Sequence, residues 1–278
     1  MANPDANRRR LIVNADDFGR SPGINQAVIQ AHREGILTTA SLMVNEPACA
    51  EAIALAKENP ALGVGLHLTF LIGHSALPPE KIPGLVNARG EFSVSPVSTG
   101  LNYFFRPALR KQLRAEIHAQ FARFRATGLK LDHVNGHLHM HLHPVVFGIL
   151  MKDTAALGLT HLRLTREPFW LDASLRGGHR FYRACHSVIY AILARAAQRR
   201  LHANGIRHTH HVFGLLQNAR VDEEYVSKLL PLLPPGDSEL YLHPSVNEFP
   251  QELGAMISPQ IRKLMDREKI ELIRYQDL

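Results

Sequence analysis

The chain has 278 residues, 45% hydrophobic and 21% charged, which suits a globular domain with a real core and excludes a disordered chain. No apolar run approaches the length of a membrane span. The 32 basic and 25 acidic residues give a net charge of +7, which indicates anionic surroundings without choosing between a membrane surface and nucleic acid.

The first half of the chain alternates predicted strands and helices. The stretch RLIVNADD reads as a short buried strand, and a helix follows, with Ser21 as its cap, Pro22 at its first position and Gly35 at its end. The next predicted elements are a β-branched strand, a helix, a third strand and a long Pro/Gly/Ser-rich loop, at residues 36–44, 47–60, 62–69 and about 73–100.

The alternation continues in the second half. A helix, a strand, a helix opened by proline and another strand are predicted at 107–128, 129–137, 144–158 and 161–165. The alternation of strands and helices is interrupted at about 168–212, a stretch that we interpret as an inserted basic helix. The last elements are a strand near 207–213, a helix at 222–230, the strand SELYLHP, a helix opened by Ser258 and Pro259, and the strand KIELIRY.

This alternation predicts about seven strands in a parallel sheet. No G-x-G-x-x-G follows the first strand, so the signature of a dinucleotide-binding fold is absent. Polar residues end several different predicted strands: Asp16 and Asp17, His67, a histidine cluster at 137–143, and His243. Active sites of α/β barrels lie at that face. We therefore predict an α/β fold, a (β/α) barrel of about seven strands forming a single domain over 1–278.

Four histidines alternate in NGHLHMHLHP: His137, His139, His141 and His143. If the segment were extended, it would have one imidazole face and one apolar face. Such a cluster is typical of metal sites, although a chain with 17 histidines could also produce it by chance.

The histidines and aspartates at the strand ends are the residue types that a metal-dependent hydrolase needs in its active site. Two histidines and a carboxylate commonly bind one metal and leave positions open for water. Of the two adjacent aspartates, one could bind the metal while the other accepts a proton from bound water. Taken singly, the Asp-Asp pair could instead be a turn or helix cap, and His67 could be a core histidine.

The motifs LIVNADDFG, GLHL, DHVNGHLHMH and ELYLHPS, in this order, resemble the YdjC-like carbohydrate deacetylases, a family that includes chitooligosaccharide deacetylases. The resemblance implies a distorted (β/α) barrel and one divalent metal ion, usually assigned as Mg²⁺, with Zn²⁺ or another transition metal also compatible. It implies removal of the N-acetyl group from an amino sugar. The stretch NADDFGRSPGINQAVIQAHREGILTTASLMVNEPA is most similar to the branch associated with hopanoid biosynthesis, which implies a lipid-linked sugar.

The same resemblance assigns roles to residues. His67 and His137 match the two metal histidines. By analogy with the wider polysaccharide deacetylases, Asp17 completes the metal site and Asp16 is the base, although the reverse order stays open. His243 is placed to protonate the departing amine, because an imidazole suits proton transfer near neutral pH.

Three further residues are expected near this site. Arg163 could hold the base ionised, or could lie on a solvated face. His139 could lie near the metal or donate a hydrogen bond to a metal ligand. Asn135 stands where chitooligosaccharide deacetylases have an aspartate, so a charge is missing there. His141 and His143 are expected to be peripheral.

The basic insert has two interpretations. Its apolar side chains include Trp170, Phe181 and Ile192, and they alternate with arginines such as Arg176 and Arg199. The insert could be a helix packed on the barrel with a solvated basic face. Alternatively, it could lie at the surface of an anionic membrane and help a lipid-linked sugar to reach the metal.

Location and competing functions follow from the same observations. Two cysteines, Cys49 and Cys185, are too few for a disulfide framework, and the N-terminal stretch has no apolar signal core. We therefore expect a cytoplasmic protein, peripheral at the inner membrane face if the insert binds lipid. The alternative enzymes are amidohydrolases and metal-dependent phosphoesterases with His-x-His on a barrel, which usually carry that pair after the first strand. No nucleic-acid partner is expected, because no recognisable module interleaves basic and aromatic residues.

Overall fold

A computed structural model describes residues 8–169, 171, 175, 180–217 and 220–278. Within these ranges, seven parallel strands form one curled sheet in the order β4-β3-β2-β1-β6-β5, with β7 paired to β1. β7 and β2 share one edge of β1: β7 covers its start and β2 its end. Strands β1 to β7 span Arg9–Phe18, Thr39–Leu42, Gly63–Leu68, Leu131–Gly136, His211–Phe213, Gly236–Leu242 and Ile270–Leu272.

Helices connect the strands. In the described part of the chain, α1 to α10 span Pro22–Glu34, Cys49–Glu58, Pro96–Phe105, Leu109–Ala126, Pro144–Lys152, Thr154–Leu157, Arg180–Ala203, Glu223–Leu229, Pro250–Ile257 and Pro259–Glu268. The predicted signals of α1 are confirmed: the Ser21 side chain accepts a hydrogen bond from the Ile24 amide, and Gly35 follows the last turn. A Cβ atom at Gly35 would lie 2.4 Å from the Met256 carbonyl oxygen, so no larger residue fits there.

Alternation along β1 separates an apolar exterior from a polar interior. Leu11, Val13 and Ala15 belong to the main hydrophobic core under the helices. Ile12 packs instead with Tyr275 inside the curled sheet, and Asn14 donates a hydrogen bond to Asp16 there. Because successive side chains of a strand point to opposite faces, this register places Asp16 inside the barrel.

The predicted strand at 161–165 is only partly formed. Leu162 makes an isolated bridge to Val134 of β4, and His161 makes one to Arg207. The Arg163 amide donates to the Val134 carbonyl at 3.0 Å, and the Val212 amide donates to Arg166 at 3.1 Å. Through these few backbone hydrogen bonds, the segment connects β4 with β5. The α/β barrel of about seven strands is thus confirmed, and its distortion is concentrated at this seam.

Two helices differ from the expectations, and the basic insert lies partly outside the described residues. The stretch at 73–100 is not a loop throughout, because α3 begins at Pro96 and had no clear apolar periodicity in its Ser/Thr/Gly-rich first turns. Helix α9 was also not predicted. The basic insert contains α7, and several of its residues, Trp170 and Arg176 among them, lie outside the described part of the chain. Among the described helices, none is both long and apolar enough to cross a bilayer.

Candidate metal centre and active site

Three side chains that the sequence predicts as metal ligands meet at the carboxyl end of the sheet. Asp17 lies near the end of β1, His67 in β3 and His137 directly after β4. The Asp17 Oδ1 atom is 2.9 Å from His137 Nδ1 and 3.3 Å from His67 Nε2. All three residues are buried, and one ligand atom from each lies within 4.8 Å of the others. The structure therefore brings this predicted set together.

A bulge in β1 redirects the second of the two adjacent aspartates. The pairing of β1 with β2 slips between Ala15 and Phe18, and Asp17 has a φ of +65°. Asp is one of the few residues other than glycine that adopt this left-handed conformation. Asp17 consequently faces the two histidines, whereas Asp16 faces the barrel interior. Regular alternation would point Asp17 toward the outer, helix-covered face of β1, so the bulge is what brings it to the two histidines.

The donor set fits a divalent metal ion. One carboxylate and two imidazoles are the ligands that Zn²⁺ and related ions take, and metal-ligand bonds of about 2.1 Å place neighbouring octahedral ligand atoms about 3.0 Å apart. The two separations from Asp17 Oδ1, 2.9 and 3.3 Å, agree with that spacing. These residues can therefore hold such an ion with little rearrangement.

Asn135 orients His67 and also binds Asp16. The His67 Nδ1 atom lies 2.6 Å from Asn135 Oδ1, which leaves Nε2 directed at Asp17. The Asn135 amide nitrogen donates to Asp16 Oδ1 at 3.2 Å and to Ser41 Oγ at 2.8 Å. An aspartate at position 135 could not donate to the Asp16 carboxylate. The amide is therefore a connecting group between the candidate metal ligands and the candidate base.

The segment that carries the four histidines is not extended. Residues 137–142 form a 3-10 turn in which Leu138 and His139 have φ of +49° and +57°. The four imidazoles therefore diverge. Only His137 joins Asp17 and His67, while His139 Nε2 lies 3.0 Å from the Tyr241 hydroxyl and its Nδ1 3.2 Å from Thr165 Oγ1.

The last two histidines of the turn bind backbone. His141 Nε2 lies 3.0 Å from the Arg163 carbonyl oxygen, and His143 Nε2 lies 3.0 Å from that of Gly100. Burial, together with the nearby Arg163 charge, lowers the pKa of His141 to about 3, so this imidazole is neutral. Both histidines are peripheral to the metal group and shape the turn that carries His137.

Asp16 and Arg163 form a bidentate ion pair inside the barrel. Arg163 Nη1 donates to Asp16 Oδ2 at 2.7 Å, and Nη2 donates to Oδ1 at 2.9 Å. Arg163 is completely buried, which excludes the solvated-face alternative. Burial by itself raises the pKa of Asp16, but the charge and hydrogen bonds of Arg163 outweigh it and hold that pKa well below its ordinary value.

One oxygen of Asp16 is more open to new hydrogen bonds than the other. Asp16 Oδ1 accepts from Asn14 at 2.8 Å and from Asn135, in addition to Arg163. Among the described residues, Oδ2 accepts from Arg163 alone. A carboxylate oxygen offers two lone pairs, so Oδ2 is the atom that can take up a proton or bind water.

Glu239 and Tyr275 extend this ion pair, and the sequence analysis missed both. Glu239 Oε1 accepts from Arg163 Nη2 at 2.7 Å, and the Tyr275 hydroxyl donates to Glu239 Oε2. The guanidinium also lies 4.4 Å from the centre of the Tyr241 ring. A glutamate within the apolar strand SELYLHP was the available signal, because a buried carboxylate requires a partner.

His243 directly follows β6 and lies beside Glu252. The His243 amide donates to Glu252 Oε2, and the imidazole Nδ1 lies 3.9 Å from the same oxygen. Glu252 is fully buried, while 29% of the His243 side chain is exposed. Burial raises the pKa of Glu252, and His243 opposes this shift. The imidazole can therefore reach both solvent and a buried carboxylate.

Arg20 was also missed. Its Nη1 atom lies 2.9 Å from Asp17 Oδ2, and 38% of its side chain is exposed. The Asp17 carboxylate thus contacts the histidines through one oxygen and a half-exposed cation through the other. The spacing Asp-x-x-Arg in DDFGR could have indicated this contact.

Comparisons with known proteins identify relatives of the chain. The family model described as YdjC-like protein matches residues 10–267. A carbohydrate deacetylase from Brevibacillus brevis is 42% identical over 143 residues, which are 51% of this chain and 54% of that protein. A chitooligosaccharide deacetylase from Serratia marcescens is 36% identical over 163 residues, 56% of this chain and 60% of its own length. These matches span little more than half of each relative.

A solved structure resembles almost the whole fold. A protein named as a candidate for cellobiose-phosphate cleavage, from Enterococcus faecalis V583, superposes with a TM-score of 0.76 over 97% of this chain and 98% of its own. At 21% sequence identity, this likeness concerns the fold alone. The family match, by contrast, covers nearly the entire sequence, and the chain belongs to the YdjC-like protein family.

Proposed function

We propose that the protein is a divalent-metal-dependent hydrolase that removes the N-acetyl group from an N-acetylated amino sugar. The observation that carries the proposal is the adjacency of two separate units, the ligand group Asp17, His67 and His137 and the ionised carboxylate of Asp16. Metal-assisted amide hydrolysis needs such a pairing of a metal site with a base. The deacetylase names of two relatives support the reaction class.

Asp17, His67 and His137 would hold the metal ion, which when bound would polarise the acetamide carbonyl and make water more acidic. Mg²⁺ is the assignment implied by the family resemblance. Two imidazoles among three ligands also suit Zn²⁺ or another transition metal. The identity of the ion is therefore part of what the experiment below measures.

Asp16 acts as the general base in this proposal. Its carboxylate is ionised at neutral pH because Arg163 lowers its pKa, and Oδ2 has a free lone pair. Water adds to the carbonyl carbon while Asp16 Oδ2 accepts its proton. Asn135 and Arg163 fix the orientation of the carboxylate from the other side. A carboxylate that is held in one orientation favours proton transfer from a water molecule in one position.

His243 supplies the proton that the leaving amine needs. The bond between the carbonyl carbon and nitrogen breaks as the imidazolium donates to nitrogen, which leaves acetate and a free amino sugar. Glu252 Oε2 lies 3.9 Å from Nδ1 of this ring and is the carboxylate oxygen nearest to that nitrogen among the described residues. His139 supports the site from Tyr241 and Thr165 without being a metal ligand in this scheme.

The finer proposal is a lipid-linked, hopanoid-type amino sugar. It rests on the resemblance of residues 14–48 to that branch and on the basic, apolar insert at about 168–212. The protein would then be cytoplasmic and would contact anionic lipid at the inner membrane face. The tryptophan that motivates part of this idea, Trp170, lies outside the described residues.

The alternative enzymes are less well supported. Amidohydrolases and phosphoesterases of this type use both histidines of His-x-His as ligands. Here His139 is hydrogen-bonded to Tyr241 and Thr165, away from the Asp17 group. Among the described residues, one group of three ligands was found, which favours a single metal ion.

The test is incubation of the metal-stripped and the Mg²⁺- or Zn²⁺-loaded protein with N-acetylglucosaminyl compounds, soluble and lipid-linked. Mass spectrometry would follow the loss of the acetyl group, and metal analysis would give the stoichiometry. We expect acetate release only after one equivalent of metal has been restored. Turnover that is identical in the stripped protein, or none with any acetylated sugar, would contradict the proposal.

A further inference from the structure

Large apolar side chains are exposed on two helices and on the turn between them. Phe105 of α3 is 70% exposed, Ile192 of α7 64%, and Leu138 45%. Single exposed apolar residues are common, but a grouped set marks an interaction surface. We call this set the apolar rim; its members are Val97, Leu101, Phe104 and Phe105 of α3, Leu138, and Phe181, Val188, Ile189 and Ile192 of α7.

The rim borders the candidate active site. Leu138 directly follows His137, one of the candidate ligands. The rings of Phe104 and His143 are 6.4 Å apart, which places α3 at one end of the 137–143 turn. The rings of Tyr190 and His139 are 5.4 Å apart, which places α7 against its middle. Both helices therefore flank the turn that carries His137.

The two segments that carry most of the rim contain basic residues but no acidic ones. No acidic residue occurs at 94–115 or at 180–203. The exposed basic residues that accompany the apolar ones are Arg106, Arg110 and Lys111 beside α3, and Arg195 and Arg199 on α7. Apolar side chains that insert at the headgroup boundary, surrounded by cations, are the features of proteins that bind anionic bilayers.

A second copy of the chain is a poorer occupant for this surface. In a twofold dimer the same patch faces itself, so basic residues of one copy would meet those of the other. The two acid-free segments offer no carboxylate to pair with them. Negatively charged headgroups, in contrast, complement the arginines on both sides of the rim at once.

We propose that the apolar rim of α3, Leu138 and α7 docks on an anionic lipid bilayer, so that the mouth of the site faces the headgroups. An amino sugar whose lipid chain remains in the bilayer then reaches the ligand group without leaving the membrane. The part about the substrate rests on the proposed deacetylase function, whereas the docking itself does not. The proposal adds α3 and Leu138 to the insert that the sequence indicates.

Vesicle flotation tests the docking. The full chain is mixed with phosphatidylcholine vesicles, with or without phosphatidylglycerol, at low and high salt. We expect binding to the anionic vesicles only, and weaker binding at high salt. The pairs Phe104→Ser/Phe105→Ser and Ile189→Ser/Ile192→Ser should each lower the partition coefficient at least about tenfold, since each removes two large apolar groups.

The control is the pair Leu232→Ser/Leu272→Ser. Both leucines are exposed, by 49% and 38%, and they lie near the start of β1, at the opposite end of the strand from Asp17. This variant should float like the wild type. Circular dichroism of all variants checks folding, so that lost binding can be assigned to the rim.

Two results would overturn the docking proposal. One is wild-type protein that stays unbound on anionic vesicles at low salt. The other is a rim-dependent dimer in light scattering with no effect of either rim pair on flotation. Deacetylation of a water-soluble N-acetyl amino sugar, measured in the same preparations, separates the two hypotheses. Active, unbound protein disproves docking alone, whereas bound protein that is inactive on every sugar supports docking and contradicts the proposed function.

Discussion

Arg163 holds Asp16 by two parallel hydrogen bonds in the centre of the barrel, Nη1 to Oδ2 at 2.7 Å and Nη2 to Oδ1 at 2.9 Å. The same guanidinium binds Glu239, so one buried cation serves two carboxylates. A buried charge is costly unless it is paired and hydrogen-bonded. The ion pair therefore orients Asp16, and the stability of the barrel interior depends on Arg163.

We predict that Arg163→Met destabilises the protein by about 3–5 kcal/mol, since it leaves two buried carboxylates without their cation. Arg163→Lys should be milder in stability, yet it should lose most activity because a lysine cannot bind Asp16 through two nitrogens. Urea unfolding and kcat measure the two effects. A fully active Arg163→Lys enzyme would show that the bidentate geometry is unimportant.

The pH dependence of this pair has a definite sign. The folded pKa of Asp16 lies below its ordinary value near 3.9, so its contribution to stability is complete above about pH 4. That contribution is lost as the pH falls further, toward the folded pKa. In Arg163→Met burial acts without the arginine and raises the pKa of Asp16 above its ordinary value, so the variant gains stability relative to wild type as the pH falls. The stability difference between wild type and Arg163→Met should therefore shrink as the pH falls from 7 to below 4. Denaturant titrations at each pH measure this difference.

The metal ligands can be tested by truncation. His67→Ala or His137→Ala should remove bound divalent metal and activity, with the fold largely kept, because each removes one of three ligands. His141→Ala is not a suitable control, since its buried ring binds the Arg163 carbonyl. His118→Ala is a suitable control. His118 lies on α4, and its ring contacts Asp153. Full metal occupancy and normal turnover in both ligand variants would refute the assignment.

The two aspartates should separate metal binding from proton transfer. Asp16→Asn should keep the metal and slow the reaction by about 10²–10⁴-fold, the usual cost of removing a general base. Asp17→Asn should lose metal, because it removes the carboxylate that faces both histidines. Metal content and kcat of each variant distinguish the roles. The opposite pattern would exchange the roles of the two residues and leave the family assignment untouched.

Much of this arrangement could be predicted from local pattern. The strand ends at Asp16, His67 and His243 follow from hydrophobic runs that stop at polar residues, and the barrel brings such ends together. The caps of α1 were equally clear. What these signals share is that a few neighbouring residues determine them.

The rest depends on contacts that no local pattern encodes. The 137–143 turn requires left-handed backbone at Leu138 and His139, which the alternation of histidines with apolar residues does not indicate. Arg163 binds Glu239, which lies 76 positions further along the chain, and Glu239 binds Tyr275, which lies a further 36 positions along. The seam at 161–165 has strand-like residues but only single bridges to pair with.

Tyr275 should act as a positioning residue from the far end of the chain. Tyr275→Phe removes the hydroxyl that donates to Glu239, and an unsatisfied buried acceptor costs about 1–3 kcal/mol. Through Glu239 and Arg163 the change should lower kcat, with KM and metal content unchanged. Tyr103→Phe is the matched control, since that buried hydroxyl donates to a backbone carbonyl, that of Phe70. Equal kcat in both variants would limit Tyr275 to a structural role.

The proposed role of His243, protonation of the leaving amine, can be tested with substrates that differ in their leaving group. An amine leaves poorly unless it is protonated, whereas a phenolate of an activated acetate ester leaves without a proton. His243→Asn should therefore slow hydrolysis of the N-acetyl amino sugar by about 10²–10⁴-fold but change hydrolysis of p-nitrophenyl acetate much less.

Asp16→Asn supplies the comparison for His243, because water must lose a proton in both reactions. That variant should slow the amide and the ester alike. Glu252→Gln keeps the buried side chain but removes the charge beside His243 Nδ1, so it should resemble His243→Asn in a weaker form. If His243→Asn instead slows amide and ester equally, His243 does not protonate the amine, and a role in binding the acetyl group or the sugar becomes the better assignment.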